Sequence, residues 1–263
     1  MINFYFLFFI KFRHSKRPKS VSLLGLTSVL NSEVIFLNLI YLFTNFVIGT
    51  CIASHMAVIF DRWENKNFIF SRSYCKYCHF ELSLLDEIPI ISYLLLRGRC
   101  RYCKQPIPSE LFLFELVEGF AFSLIDFSSI NGITNSVFLS SLLLTAISDF
   151  YENEFDLLFL FPAMFIATFE NKLSAFTTLD FISFVSIISI FCWNILKHKM
   201  GLGDLLIYLA IASYLTPSTA NIIFLFACFL LLLFFAIENN DANYHYPFIP
   251  FIFLGLIFTQ FLN

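Results

Sequence analysis

The stretch "KMGLGDLLIYLA", Lys199 to Ala210, sets a carboxylate, Asp204, at the mouth of an apolar run. A run of this kind enters a lipid bilayer, where an acidic side chain costs roughly 2.5 to 3.5 kcal/mol on insertion scales. The surrounding composition supports that setting: of 263 residues, 59% are hydrophobic and only 13% charged. A soluble domain of this size does not have such a balance. The expected fold is all-α, a polytopic transmembrane helical bundle. The 38 phenylalanines are read as large apolar residues facing lipid and carry no functional weight.

A span needs about 20 apolar residues, fewer where protein covers a helix end. On that ruler eight segments qualify: 34–60, 111–128, 132–149, 155–170, 179–196, 204–216, 219–237 and 246–262. Between the first two lies the one long polar stretch, 61–110, with eight Lys or Arg and four Cys. Because 13 of the 16 Lys and Arg precede residue 105, the positive-inside rule puts this loop in the cytoplasm. Two spans later the chain returns to that face at "SDFYENEFD", Ser148 to Asp156. Two more deliver "KHKMGLGD", where Lys197 and Lys199 agree with the assignment. Asp149 and Asp204 are therefore expected on one side of the membrane.

Two carboxylates at one depth on separate helices suit acid–base hydrolysis of a peptide bond. One ionised group activates water while a protonated one donates to the carbonyl oxygen. Asp204 at a helix N-terminus and Asp149 at a C-terminus feel opposite ends of the helix dipole, which points to Asp204 as the base and Asp149 as the acid. Gly201 and Gly203 would leave room beside Asp204 for an extended substrate backbone. The plainer alternative stays open: Asp at a helix start is often only an N-cap.

The cysteines form a sharper pattern. "CKYC", Cys75 to Cys78, and "CRYC", Cys100 to Cys103, make C-x2-C-x21-C-x2-C, one residue beyond the usual spacing of a four-thiolate zinc site. A reducing cytoplasm favours zinc over disulfides, although a redox pair and free thiols remain as alternatives. Cys51, Cys192 and Cys228 fall in apolar spans and read as small hydrophobes.

The stretch "SRSYCKYCHFELSLLDEIPIISYLLLRGRCRYCKQPIPSELFLFELVEG" closely resembles the cytoplasmic loop of bacterial type IV prepilin peptidases, including the acidic position at Glu115. "FVIGTCIASHMAVIFDRW" resembles that family's first span and "MGLGD" its second catalytic motif. The resemblance covers about residues 34–262. It implies a GxGD aspartyl protease of the cytoplasmic membrane. That protease would cleave the basic leader of prepilins or competence pseudopilins at the cytoplasmic face, with Asp149 and Asp204 catalytic. It also implies zinc on Cys75, Cys78, Cys100 and Cys103, and in many members S-adenosylmethionine-dependent methylation of the new N-terminus. No residues for that cofactor are legible here.

The chain departs from the family in two places. "DFYENEFD" lacks the proline that usually follows the first aspartate, and Leu206 replaces the usual Lys two residues after the second. These departures keep open a catalytically inactive relative serving as a zinc-stabilised assembly protein of a pilus or competence system. A transporter is disfavoured, because the acids lie at one face rather than near mid-membrane. Residues 1–33 fall outside the resemblance, and their five cations in "KFRHSKRPK" suggest an early start site. The expected organisation is this extension, a first span at 34–60, the Cys loop at 61–110, and a peptidase core at 111–263. The expected partners are a pilin substrate and the lipid bilayer, with no nucleic acid. The sequence is silent on oligomeric state.

Overall fold

The structure is a computed structural model and describes residues 23–64, 72–170, 176–197, 200–238 and 246–262. Residues 1–22 of the expected N-terminal extension lie outside that set, as does Lys199. The regular elements among the described residues are helices: α1 Leu23–Asp61, α2 Ile91–Leu95, α3 Ser109–Ser123, α4 Ile130–Glu152, α5 Leu157–Phe169, α6 Thr178–Leu196, α7 Leu202–Tyr214, α8 Pro217–Glu238 and α9 Ile249–Leu262. Each of the eight expected spans has its helix, and α2 is additional. Four of them are long and apolar enough to cross a membrane alone: Ile35–Asp61, Ile130–Glu152, Thr178–Leu196 and Pro217–Ile237. The helices α5, α7 and α9 are shorter and apolar. The protein is a multi-pass membrane protein.

By its contacts the chain divides into two units, Met1–Tyr41 and Leu42–Asn263, with the boundary inside α1. All packing described here belongs to the second. There α9 packs against α8, α4 and α3, α4 against α5 and α3, and α7 against α5, α6 and α8. Helix starts follow local chemistry. Ser129 accepts from the Gly132 N–H ahead of α4, and Thr177 and Asp180 form a reciprocal capping box ahead of α6.

Helices in lipid gain nothing from burying apolar side chains against each other, so small residues and internal hydrogen bonds set the close crossings. A Cβ on Gly49 of α1 would lie 2.6 Å from the Glu118 carbonyl oxygen of α3, and one on Gly119 would lie 2.7 Å from the Phe46 ring. Asn45 seals that crossing by donating to the Ile125 carbonyl at 2.7 Å. A second device supports α5, where Pro162 cannot donate within the helix. Buried Ser141 of α4 donates to the Phe159 carbonyl at 2.5 Å and accepts from the Ala163 N–H at 3.2 Å. One hydroxyl thus bridges the Phe159 carbonyl and the Ala163 N–H, an i, i+4 pair beside the proline, and gives both a partner where water is absent.

Gly49→Val should overpack the α1–α3 crossing and destabilise the protein by about 1–3 kcal/mol. Thermal unfolding in detergent should register this as a lowered midpoint, and an unchanged midpoint would contradict the close approach.

Candidate active site and metal centre

Asp149 lies in the last turn of α4, whose C-cap Asn153 takes a left-handed conformation (φ 54°) and donates its N–H to the Asp149 carbonyl. Its side chain is buried and meets the start of another helix: the Ile249 N–H of α9 donates to Asp149 Oδ2 at 2.9 Å. The Phe248 N–H points at the same carboxylate. The anion therefore sits at the positive end of the α9 dipole as well as at the negative end of its own helix. Position along α4 alone does not reveal the first of these.

Asp204 lies in the first turn of α7, but the N-cap is Gly201, which has no side chain. Among the described residues no hydrogen bond holds the Asp204 carboxylate, and the charge it feels is that of Asp149. The two carboxylates expected on one face are thus within electrostatic reach of each other. Leu142, Ile207, Ile249, Ile252, Phe253 and Leu256 pack together where α4, α7 and α9 meet.

The two glycines differ in their surroundings. A Cβ on Gly203 would come within 2.5 Å of the Phe155 ring, whereas one on Gly201 would meet nothing closer than 3.9 Å. Only Gly201 leaves open room beside Asp204; the space at Gly203 is filled by Phe155. Nothing in the sequence singles out Phe155 among so many phenylalanines. The adjoining Asp156 caps α5 by accepting from the Leu158 N–H at 3.0 Å and accepts from Trp63 Nε1 at 3.3 Å. Trp63 follows α1 directly, so the end of the first span is tied to the loop that carries Phe155.

The two Cys-x-x-Cys segments fold as copies of one knuckle. Cys75 N–H donates to the Phe80 carbonyl, His79 N–H to Cys75 and Leu82 N–H to Ser73, at 2.9–3.0 Å. The same three bonds recur as Cys100 to Gln105, Lys104 to Cys100 and Ile107 to Gly98, at 2.8–3.1 Å. His79 and Lys104 both adopt the left-handed conformation (φ 55° and 62°), and a lone antiparallel bridge closes each knuckle, Tyr74 with Glu81 and Arg99 with Pro106.

The four sulfurs lie within 4.8 Å of one another, with Cys75 Sγ and Cys103 Sγ 3.8 Å apart. Tetrahedral zinc with bonds of about 2.3 Å would space its sulfurs by about 3.8 Å, so the set fits that ion. Burial acts to raise the Cys75 thiol, yet the N–H groups of Cys78 and Tyr77 bring it down to about 7, so one donor is readily ionised. Outside the sulfur cluster, Arg101 is held by Asp86 at 2.7 Å, where the Asp86 side chain is 2% exposed. The hydrogen bond from Arg101 keeps the Asp86 carboxyl below its usual range.

Comparison with known proteins agrees with this architecture. Residues 47–128 match the Bacterial Peptidase A24 N-terminal domain. The chain is 28% identical over 207 residues to the "Type 4 prepilin-like proteins leader peptide-processing enzyme" of Escherichia coli O78:H11, covering 73% of this chain and 76% of that one. It is 37% identical over 78 residues to a "Prepilin leader peptidase/N-methyltransferase" of Myxococcus xanthus, covering 29% and 23%. It is also 32% identical over 97 residues to one of Klebsiella pneumoniae, covering 36% and 42%. No solved structure matches. The resemblance to prepilin leader peptidases read from the loop is borne out by the domain match over residues 47–128 and by these relatives.

Protein purified without chelator should carry about one zinc per chain, the ratio of a closed four-thiolate site. Cys100→Ser should release it. Elemental analysis finding no zinc in the unaltered protein would remove the metal centre.

Proposed function

We propose that this protein is a membrane-embedded aspartyl endopeptidase that removes the basic leader of a prepilin or pseudopilin at the cytoplasmic face. The observation that carries this is the meeting of Asp149 and Asp204. Two acids from helices far apart in sequence come within electrostatic reach of each other, and one of them has no hydrogen-bond partner among the described residues.

We assign the roles the other way from dipole position alone, on the strength of the N–H bonds to Asp149. Asp149, whose carboxylate is aimed by the N–H groups at the start of α9, is the base. Asp204 carries the proton. Asp149 draws a proton from water as the water oxygen attacks the scissile carbonyl, and Asp204 donates its proton to the carbonyl oxygen. Collapse of the tetrahedral species returns a proton to the departing amine and leaves a free leader carboxylate. The pair titrates as a unit, so only one proton is shared between the two groups.

Zinc would be held by Cys75, Cys78, Cys100 and Cys103, and four protein ligands leave it no open position for substrate. It would brace the loop. The glycine pair offers S-adenosylmethionine no cradle, because Phe155 fills the space at Gly203. The assembly-protein alternative has one observation in its favour. Leu206, where the family usually has a cation, packs against the apolar core.

Asp204→Asn and Asp149→Asn should each abolish leader cleavage while the protein accumulates normally, and the double variant should be no worse, as for residues that act as one unit. Mass spectrometry of the pilin N-terminus after co-expression reads the outcome and any added methyl group. Robust cleavage by either single variant would sink the protease mechanism and favour the assembly role.

A further inference from the structure

The Cys loop contains an element that neither the metal centre nor the carboxylate pair uses. The short helix α2, in "IPIISYLLLRGR", turns its apolar residues outward: Ile91, Leu94 and Leu95 are 53%, 60% and 76% exposed. Their spacing, i, i+3 and i+4, puts them on one face. In a loop facing water this would be an unpartnered apolar patch.

Its depth shows what covers it. The Ile90 N–H donates to Glu115 Oε2 at 2.7 Å, and the Tyr93 ring stacks on Phe112 with centroids 5.0 Å apart. Both contacts lie on α3, one to two turns in from its start at Ser109. Glu115 also receives a side-chain hydrogen bond from Ser54 of α1. Ser54 lies seven residues inside the end of the span Ile35–Asp61, which at about 1.5 Å per residue is about 10 Å below it. The start of α2 is thereby packed on the first turns of α3 and, through Glu115, tied to the last two turns of the α1 span.

The chain then leaves by a sharp reversal. Arg97 and Gly98 are both left-handed (φ 54° and 64°), and a Cβ on Gly98 would lie 2.9 Å from the Tyr93 hydroxyl. That turn carries Arg97 and Arg99, both exposed, and Lys104 follows on the second knuckle, also exposed. Cations beside an apolar helix face suit an anionic membrane surface.

We propose that α2 is an interfacial membrane anchor. Ile91, Leu94 and Leu95 insert into the leaflet on the side of the Cys loop, and Arg97 and Arg99 engage the headgroups of anionic lipid. The anchor holds the second knuckle against the bilayer. It is independent of whether the carboxylate pair cleaves peptides.

The test uses the full-length chain in nanodiscs of phosphatidylethanolamine and phosphatidylglycerol, with a photoreactive benzophenone residue at position 94 or 95. Irradiation should give lipid adducts by mass spectrometry, as it should at Val47 of α1, the positive control. Arg97→Gln with Arg99→Gln should lower the yield at position 95 several-fold in these discs, and not in discs of phosphatidylcholine alone. Unchanged metal content and elution volume would show that each variant is folded. Adducts at Val47 with none at either α2 position would overturn the anchor, as would adducts joining α2 to a second copy of the chain. Insensitivity to both arginines would overturn their role with anionic lipid.

Discussion

The hydrogen bond from the Ile249 N–H to the Asp149 carboxylate joins residues 100 apart in the chain. The first N–H groups of a helix have no partner inside it, and without water each must find an acceptor in the protein. Asp149 is that acceptor for α9, which in turn packs on α8, α4 and α3. The side chain assigned to chemistry is therefore also the joint between the end of α4 and the helix that closes the bundle. The bond also aims this carboxylate, whereas Asp204 has no comparable donor among the described residues. A structural cap and the proposed catalytic base share one demand on this side chain, an acceptor oxygen aimed at a fixed point.

Much of this was legible from the chain. Apolar runs located all eight expected helices, because lipid contact imposes composition over a whole segment. The cysteine spacing anticipated the sulfur cluster, because a knuckle is a local structure whose hydrogen bonds run between residues close in sequence. Helix α2 was not anticipated, since five residues give no periodicity to read and its position depends on Glu115 and Phe112. Nor was the bond to Asp149, because its donor is a backbone N–H of α9 and has no side-chain signature. Phe155 was invisible for a further reason: a ring that fills a glycine's space looks in sequence like any other lipid-facing phenylalanine.

The metal centre and the carboxylate pair are linked by packing. Lys76, inside the first knuckle, pairs with Asp61 at the end of α1 at 2.5 Å. Two residues on, Trp63 donates to Asp156, and Phe155 beside it rests on Gly203, one residue before Asp204. Phe60 of α1 stacks on Tyr151 of α4, with centroids 5.6 Å apart, next to the turn that carries Asp149. The end of α1 thus touches the surroundings of both acids. A four-thiolate site has no open position with which to polarise a substrate, so zinc has only geometry to contribute. By fixing the first knuckle it would hold the end of α1, and through Trp63 and Phe155 the approach of α7 to α4. With zinc bound the cysteine loop would brace the spacing of the two carboxylates, and loosening it should disturb that spacing before it unfolds the bundle.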